Sequence, residues 1–214
     1  MKKIVLLLSS ILLITPALMA QNDAKAKVIL DGTAAKIKTY TSYKIEFTYK
    51  MENTTKKINE VKTGNIIVKG DKYRLEITGQ TVICDGKTVW TYIKDANEVN
   101  IDNVKTDDDA INPTKLLNMY EKNFTYKLIK ETTVNGKYVQ IIDLKPIKGK
   151  KYYKVRLTID KALLQIISSV VFDKNQTTTY TYLVTKFTPN IPVADASFTF
   201  NKASYPGVEV NDMR

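Results

Sequence analysis

Apolar and polar residues alternate with a period of two along most of the chain from Tyr43 onward. In the clearest run, 43–51, Tyr, Ile, Phe, Tyr and Met occupy the odd positions and Lys, Glu, Thr and Lys the even ones, and 72–77 repeats the pattern. Successive side chains of a strand point to opposite faces, so the alternation predicts half-buried strands. Turn pairs such as Asp85-Gly86 and Asn135-Gly136 separate the runs as in β-hairpins. The pattern predicts an antiparallel sheet of about ten to twelve short strands.

Two segments depart from this pattern and indicate helices. In 23–39 a loose apolar stripe runs among lysines, which is typical of an amphipathic helix. A second helix of about two turns begins at Asn112-Pro113, a capping residue followed by proline at the first helical position. A helix so short depends on packing. It is either a lid over the sheet or an ordinary packed helix.

The first twenty residues have the features of a secretory signal peptide. Lys2 and Lys3 precede an apolar run, and Pro16 closes it. We expect cleavage after Ala20, although Leu18 occupies a position where a small residue is usual. An uncleaved anchor is disfavoured, because the run is short of the roughly 20 residues that span a bilayer. The sequence therefore predicts a signal peptide over 1–20 and a single domain over 21–214, located in the periplasm.

The basic balance does not indicate a nucleic-acid partner. Removal of the signal peptide lowers the formal net charge from +11 to +9, and the lysines are spread along strands and turns with no stripe and no aromatic recognition motif. Two interpretations remain: a solvated surface, or attraction to an anionic membrane surface or acidic docking partner.

The composition argues against an enzyme. The chain has no histidine, which removes the commonest general base and metal ligand, so we assign no catalytic residue, metal ligand or cofactor. The acidic run Asp107-Asp108-Asp109 matches no EF-hand spacing and is interpreted as a solvated loop. Carboxylate catalysis on a lipid or glycan stays open as an alternative. The single cysteine, Cys84, follows apolar residues and is interpreted as a small core residue.

Aromatic residues are the remaining candidates for binding. The chain has 13 Tyr, 6 Phe and 1 Trp, and tyrosine can pack its ring while its hydroxyl stays hydrated. Such residues either line a half-wet wall or fill the space between two packed sheets, and the pattern alone favours neither.

Several motifs, in order, resemble the LolA family of outer-membrane lipoprotein carriers. The segment 85–92, Asp-Gly-Lys-Thr-Val-Trp-Thr-Tyr, resembles a family hairpin, and 64–69, Gly-Asn-Ile-Ile-Val-Lys, resembles the strand before it. Asn112-Pro113 with Leu116-Leu117 resembles the central helix. The chain end, with Phe-Thr-Phe at 198–200, Pro-Gly-Val-Glu-Val at 206–210 and then Asp212, resembles the closing signature.

The resemblance implies a fold, a function and partners. The fold is mainly β, a half-open antiparallel barrel of about eleven strands with short α-helices covering its mouth. The function is that of a monomeric periplasmic chaperone that carries the acyl chains of lipoproteins from the inner to the outer membrane. The implied partners are acylated lipoproteins, an inner-membrane lipoprotein-releasing ABC transporter and an outer-membrane acceptor, without a cofactor. The alternative is a LolA-like lipid or lipoprotein sensor in envelope-stress signalling.

One position departs from the family pattern. Family carriers have an arginine just after the strand at 64–69, where it bonds to the lid helices, and Gly70 stands there in this chain. Arg74 lies four residues on, but it alternates with Tyr73 and Leu75 and is therefore expected at the surface. The family latch cannot be carried over.

We expect the lipid-binding cavity to have a wall and a cover. The cover comes from the two helices: Leu30, Ile37, Leu116, Leu117 and Met119. The wall comes from the strands: Tyr43, Ile45, Phe47, Tyr49, Tyr73, Leu75, Ile77, Trp90 and Tyr92.

Overall fold

One sheet of twelve strands dominates the computed structural model, which describes residues 23–104 and 113–214. The expected signal peptide, the acidic run 107–109 and Asn112 lie outside the described residues. The strands are β1 (Tyr43–Asn53), β2 (Ile58–Lys69), β3 (Lys72–Ile77), β4 (Gln80–Cys84), β5 (Thr88–Ile93), β6 (Glu98–Asn103), β7 (Phe124–Val134), β8 (Lys137–Pro146), β9 (Tyr152–Asp160), β10 (Gln165–Asp173), β11 (Thr178–Pro189) and β12 (Glu209–Asp212).

The strand order is β12-β6-β5-β4-β3-β2-β1-β11-β10-β9-β8-β7. Neighbours are antiparallel except for β12, which pairs parallel to β6. The strands at the two ends, β12 and β7, do not pair with each other in this order, so the sheet is not closed. The expected mainly β, half-open architecture is confirmed, and the twelve strands lie within the ten to twelve that the alternation predicts.

Hairpin turns fall where turn chemistry predicts them. At Asn135-Gly136 both residues have positive φ, +49° and +76°, as the two central residues of a type I′ turn require. This turn joins β7 and β8 in the predicted place. Asp85 similarly accepts backbone N–H bonds from Lys87 and Thr88 at 2.8 Å each before β5.

Both predicted helices are present. Helix α1 (Ala24–Lys38) begins after Asp23, whose carboxylate accepts from the backbone N–H groups of Lys25 and Ala26, a normal N-cap. Helix α2 (Pro113–Asn123) starts at the predicted proline. It has 11 residues, about three turns rather than the two expected.

We call the sheet face that α1 and α2 contact the inner face, and the opposite one the outer face. The helices and the inner face of β7–β10 enclose one hydrophobic core, in which Leu30, Ile142, Leu144 and Leu157 are fully buried. In the described ranges, neither α1 nor α2 has the length and apolar composition of a membrane-spanning helix.

The C-terminal segment, residues 190–208, covers part of the outer face. Tyr205 places its ring 4.5 Å from that of Tyr92, and Asn97 donates to the Pro206 carbonyl at 3.3 Å. Phe198 and Val208 of this segment are buried.

Cys84 at the end of β4 is buried and not in a disulfide. It is the small core residue that the sequence predicts.

Candidate functional site: an apolar wall on the inner face

Seven of the nine predicted wall residues lie together on the inner face. Cross-strand pairing puts Tyr43 opposite Val68 and Val68 opposite Tyr73, and directly paired residues share a face. The same register aligns the next two rows. The wall therefore contains Tyr43, Ile45, Phe47, Tyr49, Tyr73, Leu75 and Ile77, which form a second hydrophobic cluster beside the helix-covered core.

Trp90 and Tyr92 are not part of this wall. Trp90 pairs with Ile83, which pairs with Arg74, and Arg74 alternates with Tyr73 on β3. Both aromatic residues therefore face outward, and Tyr92 packs against Tyr205. The prediction that they share the wall is wrong. Alternation shows that a strand has an apolar and a polar face, but it does not show which of the two lies on the same side of the sheet as the wall.

The predicted cover is also displaced from the wall. Leu30, Leu116 and Leu117 are buried in the core over β7–β10, and Met119 is half-buried. Ile37 alone of the five contacts both clusters. The helices therefore cover the neighbouring half of the inner face, and the wall begins where α1 ends.

Burial separates the two halves of the inner face. Beneath the helices, Val155, Leu157 and Ile159 of β9 are fully buried. On β3, by contrast, all six residues are half-buried, including Leu75 and Ile77 of the wall. Tyr43, Ile45 and Phe47 of the wall are themselves buried, so the apolar surface that the wall keeps accessible is confined to Tyr49, Tyr73, Leu75 and Ile77.

A small apolar pocket lies where the cover meets the wall. Its volume is about 40 Å³, and its lining includes Ile37 and Tyr40 from the end of α1, Leu117 of α2, and Val184 and Phe187 of β11. Ligand pockets usually measure roughly 300–1,000 Å³. An acyl chain therefore needs either the open wall or a displacement of the helices.

Aromatic rings of β1 and β11 meet within the wall. Tyr49 and Tyr182 have ring centroids 5.3 Å apart, and Phe47 lies 6.0 Å from Tyr182. Burial, reinforced by the neighbouring Tyr182, raises the pKa of Tyr49 to about 12, and burial also raises the pKa of Tyr182. These hydroxyls stay neutral at physiological pH, so the tyrosine rings themselves present no charge to a hydrocarbon chain.

An ion-pair network joins the two helices. Asp31 of α1 accepts a hydrogen bond from the Tyr120 hydroxyl of α2, and Lys27 contacts Asp31 at 3.0 Å and Glu121 at 3.1 Å. The Tyr120 hydrogen bond, then the one from Lys27, lowers the pKa of Asp31. These contacts tie α1 directly to α2.

The position that holds an arginine in family carriers is part of a turn in this chain. Gly70 forms the β2–β3 turn with φ +58°, and the lysines on either side of this turn, Lys69 and Lys72, contact Asp195 at 2.8 and 2.9 Å. Arg74 faces outward and pairs with Glu76 at 2.8 Å, which fits the expected surface role. The hairpin is thus tied to the C-terminal segment rather than to the helices.

A larger groove of about 750 Å³ lies on the outer face at the end of β3 and reaches the margin of the wall. It is lined mainly by polar residues of β1–β5, and it also touches Phe47 and Ile77. Its polar lining does not suit an acyl chain. Among the described residues, no group of three or more acidic or cysteine side chains could hold a metal ion.

Several residues of the wall cluster were not predicted from the sequence. Tyr182, Val184 and Phe187 of β11 contribute to it, but the register with β1 shifts between Glu46 and Phe47. This bulge adds one residue to β11, so the period-two pattern breaks before Phe187. Tyr40 and Ile66 also join the cluster.

Comparisons with known proteins agree with this architecture. A crystal structure of an uncharacterized conserved protein from Thermus thermophilus has a TM-score of 0.60 and 14% identity, covering 88% of this chain and 99% of that one. The lipoprotein LppX from Mycobacterium tuberculosis has a TM-score of 0.50 and 10% identity, covering 80% of this chain and all of that one. At such identity these likenesses show the fold alone. No curated protein matches the chain significantly.

The sequence itself matches a family model described as "Outer membrane lipoprotein carrier protein LolA" over residues 17–176. That range is about three quarters of the 214 residues and runs from before α1 to the end of β10. The chain therefore belongs to the LolA family of outer membrane lipoprotein carrier proteins.

Proposed function

We propose that this protein binds the acyl chains of lipoproteins on the inner-face wall and carries them through the periplasm from the inner to the outer membrane. The observation that supports the proposal is the difference in burial across one sheet face. Leu157 is fully buried beneath the helices, whereas Leu75 and Ile77 on the same face are half-buried. Part of the wall, at Leu75 and Ile77, therefore stays accessible.

The physical need for such a surface comes from the cargo. Each CH₂ group of an acyl chain left in water costs about 0.8 kcal/mol, so a lipoprotein crosses an aqueous space only if the chain is shielded. Aliphatic and aromatic side chains bind hydrocarbon without directional bonds. Such binding tolerates different acyl chains and permits release to an acceptor.

Movement of the paired helices would enlarge the site. Ile37, Tyr40 and Leu117 line the small pocket, and the Asp31–Tyr120 contact joins α1 to α2. We therefore propose that α1 and α2 shift together when the acyl chains enter.

The proposed donor is a lipoprotein-releasing ABC transporter of the inner membrane, and the proposed recipient is an outer-membrane acceptor. No catalytic step is involved.

A pair of matched variants tests the proposal. Leu75→Asp puts a charge on the wall at a half-buried position, where a carboxylate can still reach water, so the fold should survive. Leu183→Asp puts the same charge on the outer face, because Leu183 pairs with Thr48 and is 49% exposed. In a spheroplast release assay, Leu75→Asp should lose release of lipoproteins and Leu183→Asp should keep it. A folded Leu75→Asp variant that carries normally would refute the wall.

Native mass spectrometry gives an independent test. Protein purified gently from the periplasm should retain acylated species, and Leu75→Asp should retain far fewer than Leu183→Asp. Bound acyl species without release from spheroplasts would favour a lipid sensor over a carrier.

A further inference from the structure

The strand β2 is longer than its neighbour β3. Residues Gly64–Lys69 of β2 pair with β3, whereas residues 58–63 pair with β1 only. Among the described residues, no strand pairs with the other side of 58–63. These six residues form a free strand edge in the middle of the sheet order, which we call the β2 edge.

The hydrogen-bonding groups of the β2 edge point outward at alternate residues. The backbone N–H and C=O groups of successive strand residues point to opposite sides of the strand. Just after β1, the Thr54 N–H donates to the Thr177 carbonyl beside β11 at 2.9 Å. The even residues of β1 therefore direct these groups toward β11, and the odd residues direct them toward β2. Their partners on β2 are the even residues 58, 60 and 62. Asn59, Val61 and Thr63 therefore direct their backbone N–H and C=O groups away from β1, toward the free side.

The β2 edge carries two charged side chains, Glu60 and Lys62, which pair with each other at 2.7 Å, but it has no proline, and no strand of the described residues covers it. Proteins usually shield edges with proline, charge, short strands or a covering segment. At the β7 edge, Asp23 provides cover: its N–H donates to the Tyr126 carbonyl, and its carboxylate accepts from the Leu128 N–H. On the β2 edge, Val61 is 59% exposed, and none of the outward-directed residues is charged or a proline.

The β2 edge leads into the polar groove. Thr63 and Gly64 line this groove at the point where β3 stops, together with the β3–β4 turn at Thr78-Gly79. Phe47 and Ile77 line the groove and also belong to the wall. A single molecule could therefore place hydrocarbon on the inner-face wall, pass Phe47 and Ile77 at the end of β3 into the outer-face groove, and continue along the edge.

We propose that the β2 edge binds, by β-strand addition, the extended peptide that directly follows the acylated residue of a lipoprotein. Outward N–H and C=O groups at every second residue match a peptide backbone, and the continuity with the wall identifies this peptide as the part of the cargo next to its acyl chains. The inference rests on the proposed function and deepens it. The carrier would recognise main chain as well as lipid, without regard to peptide sequence.

The test uses two fluorescent probes and the exported protein. One probe is a synthetic lipopeptide with a palmitoylated N-terminal cysteine followed by six Ser, Thr and Ala residues. The other carries the same palmitoylated cysteine with a polyethylene glycol tail in place of the peptide. Val61→Pro removes one outward N–H without breaking a bond to β1. Val61→Ala keeps that N–H and serves as the matched control.

Wild-type protein should bind the lipopeptide about tenfold more tightly than the glycol probe, as expected for a few additional hydrogen bonds. Val61→Pro should remove most of this difference and leave the affinity for the glycol probe unchanged, whereas Val61→Ala should preserve the difference. In hydrogen exchange followed by NMR, the amides of Asn59, Val61 and Thr63 should become protected by the lipopeptide only.

The outcomes separate the two proposals. If both probes bind wild type equally, the β2 edge proposal fails and lipid binding by the wall stands. If neither binds, the proposed function fails as well. If the three amides are protected without a probe, and Val61→Pro converts a dimer to a monomer in size-exclusion chromatography, a second copy of the chain occupies the edge and the peptide proposal is overturned.

Discussion

The ring of Phe47 lies across Gly64 of the neighbouring strand: a Cβ atom built on Gly64 would be 2.8 Å from Cζ of Phe47 and 2.6 Å from the Glu76 carbonyl oxygen. Phe47 and Gly64 are direct cross-strand partners. Because Gly64 has no side chain, the ring can pack onto the backbone of β2. This contact places Phe47 where the wall meets the groove.

Gly64→Ala should therefore destabilise the protein and displace Phe47. Overpacking a filled site costs about 1–3 kcal/mol, and the rigid Glu76 carbonyl cannot turn away. Urea unfolding measures the change in the free energy of unfolding. The control is Gly149→Ala at an exposed loop position, where the new Cβ makes an ordinary 3.5 Å contact with Lys174; it should change stability by less than about 0.5 kcal/mol. Equal effects of the two substitutions would contradict the packing argument.

Asp31→Asn should loosen the helix pair at neutral pH. The Tyr120 hydroxyl and Lys27 lower the pKa of Asp31 below its ordinary value of 3.8. A carboxyl with a lowered folded-state pKa contributes stability above its unfolded pKa, and this contribution is lost as the pH falls through the folded pKa. Thermal unfolding should show wild type more stable than Asp31→Asn at pH 7 and the difference shrinking toward pH 2. A difference independent of pH would rule out the carboxylate as its source.

Tyr49 should titrate only at strongly alkaline pH. Burial raises its pKa to about 12 from an ordinary value of 10.0. Between these two values the unfolded chain releases the proton and the folded protein keeps it, so the free energy of unfolding should fall as the pH rises through this window. Absorbance titration of tyrosinate should lose a late phase in Tyr49→Phe. Loss of a phase near pH 10 instead would mean that Tyr49 is well hydrated.

Asp195→Asn should release the C-terminal segment from the β2–β3 hairpin. Hydrogen bonds from Lys69 and Lys72 lower the pKa of Asp195 to about 2, so the carboxylate is charged at any physiological pH. Limited proteolysis should cut the variant faster within residues 190–205 than wild type. High salt screens exposed ion pairs, and it should bring the wild-type rate closer to that of the variant. Identical rates at low salt would show that other contacts hold the segment.

The elements with local signals could be predicted from the sequence. Asp23 caps α1 because a short acidic side chain reaches the first backbone N–H groups, and Asn135-Gly136 turns where two positive φ angles are needed. The alternation from Tyr43 to Tyr49 likewise placed four wall residues on one face, as the strand geometry requires. The assignment of wall and cover to lipid binding stays a prediction.

The remaining features depend on contacts between distant parts of the chain. Trp90 and Tyr92 alternate as well as Tyr43 does, but the register across β3, β4 and β5 turns them to the outer face. Likewise, the bulge opposite Glu46 and Phe47 arises only when β1 and β11 pair.

Strands, turns and helices form where local residue preferences place them, because those preferences act within a few residues. Which apolar face the helices cover, which part stays accessible, and the free edge of β2 beyond β3 follow from the assembled sheet. All three depend on strand register and on packing between distant segments, and these are set by the whole sheet rather than by any local run.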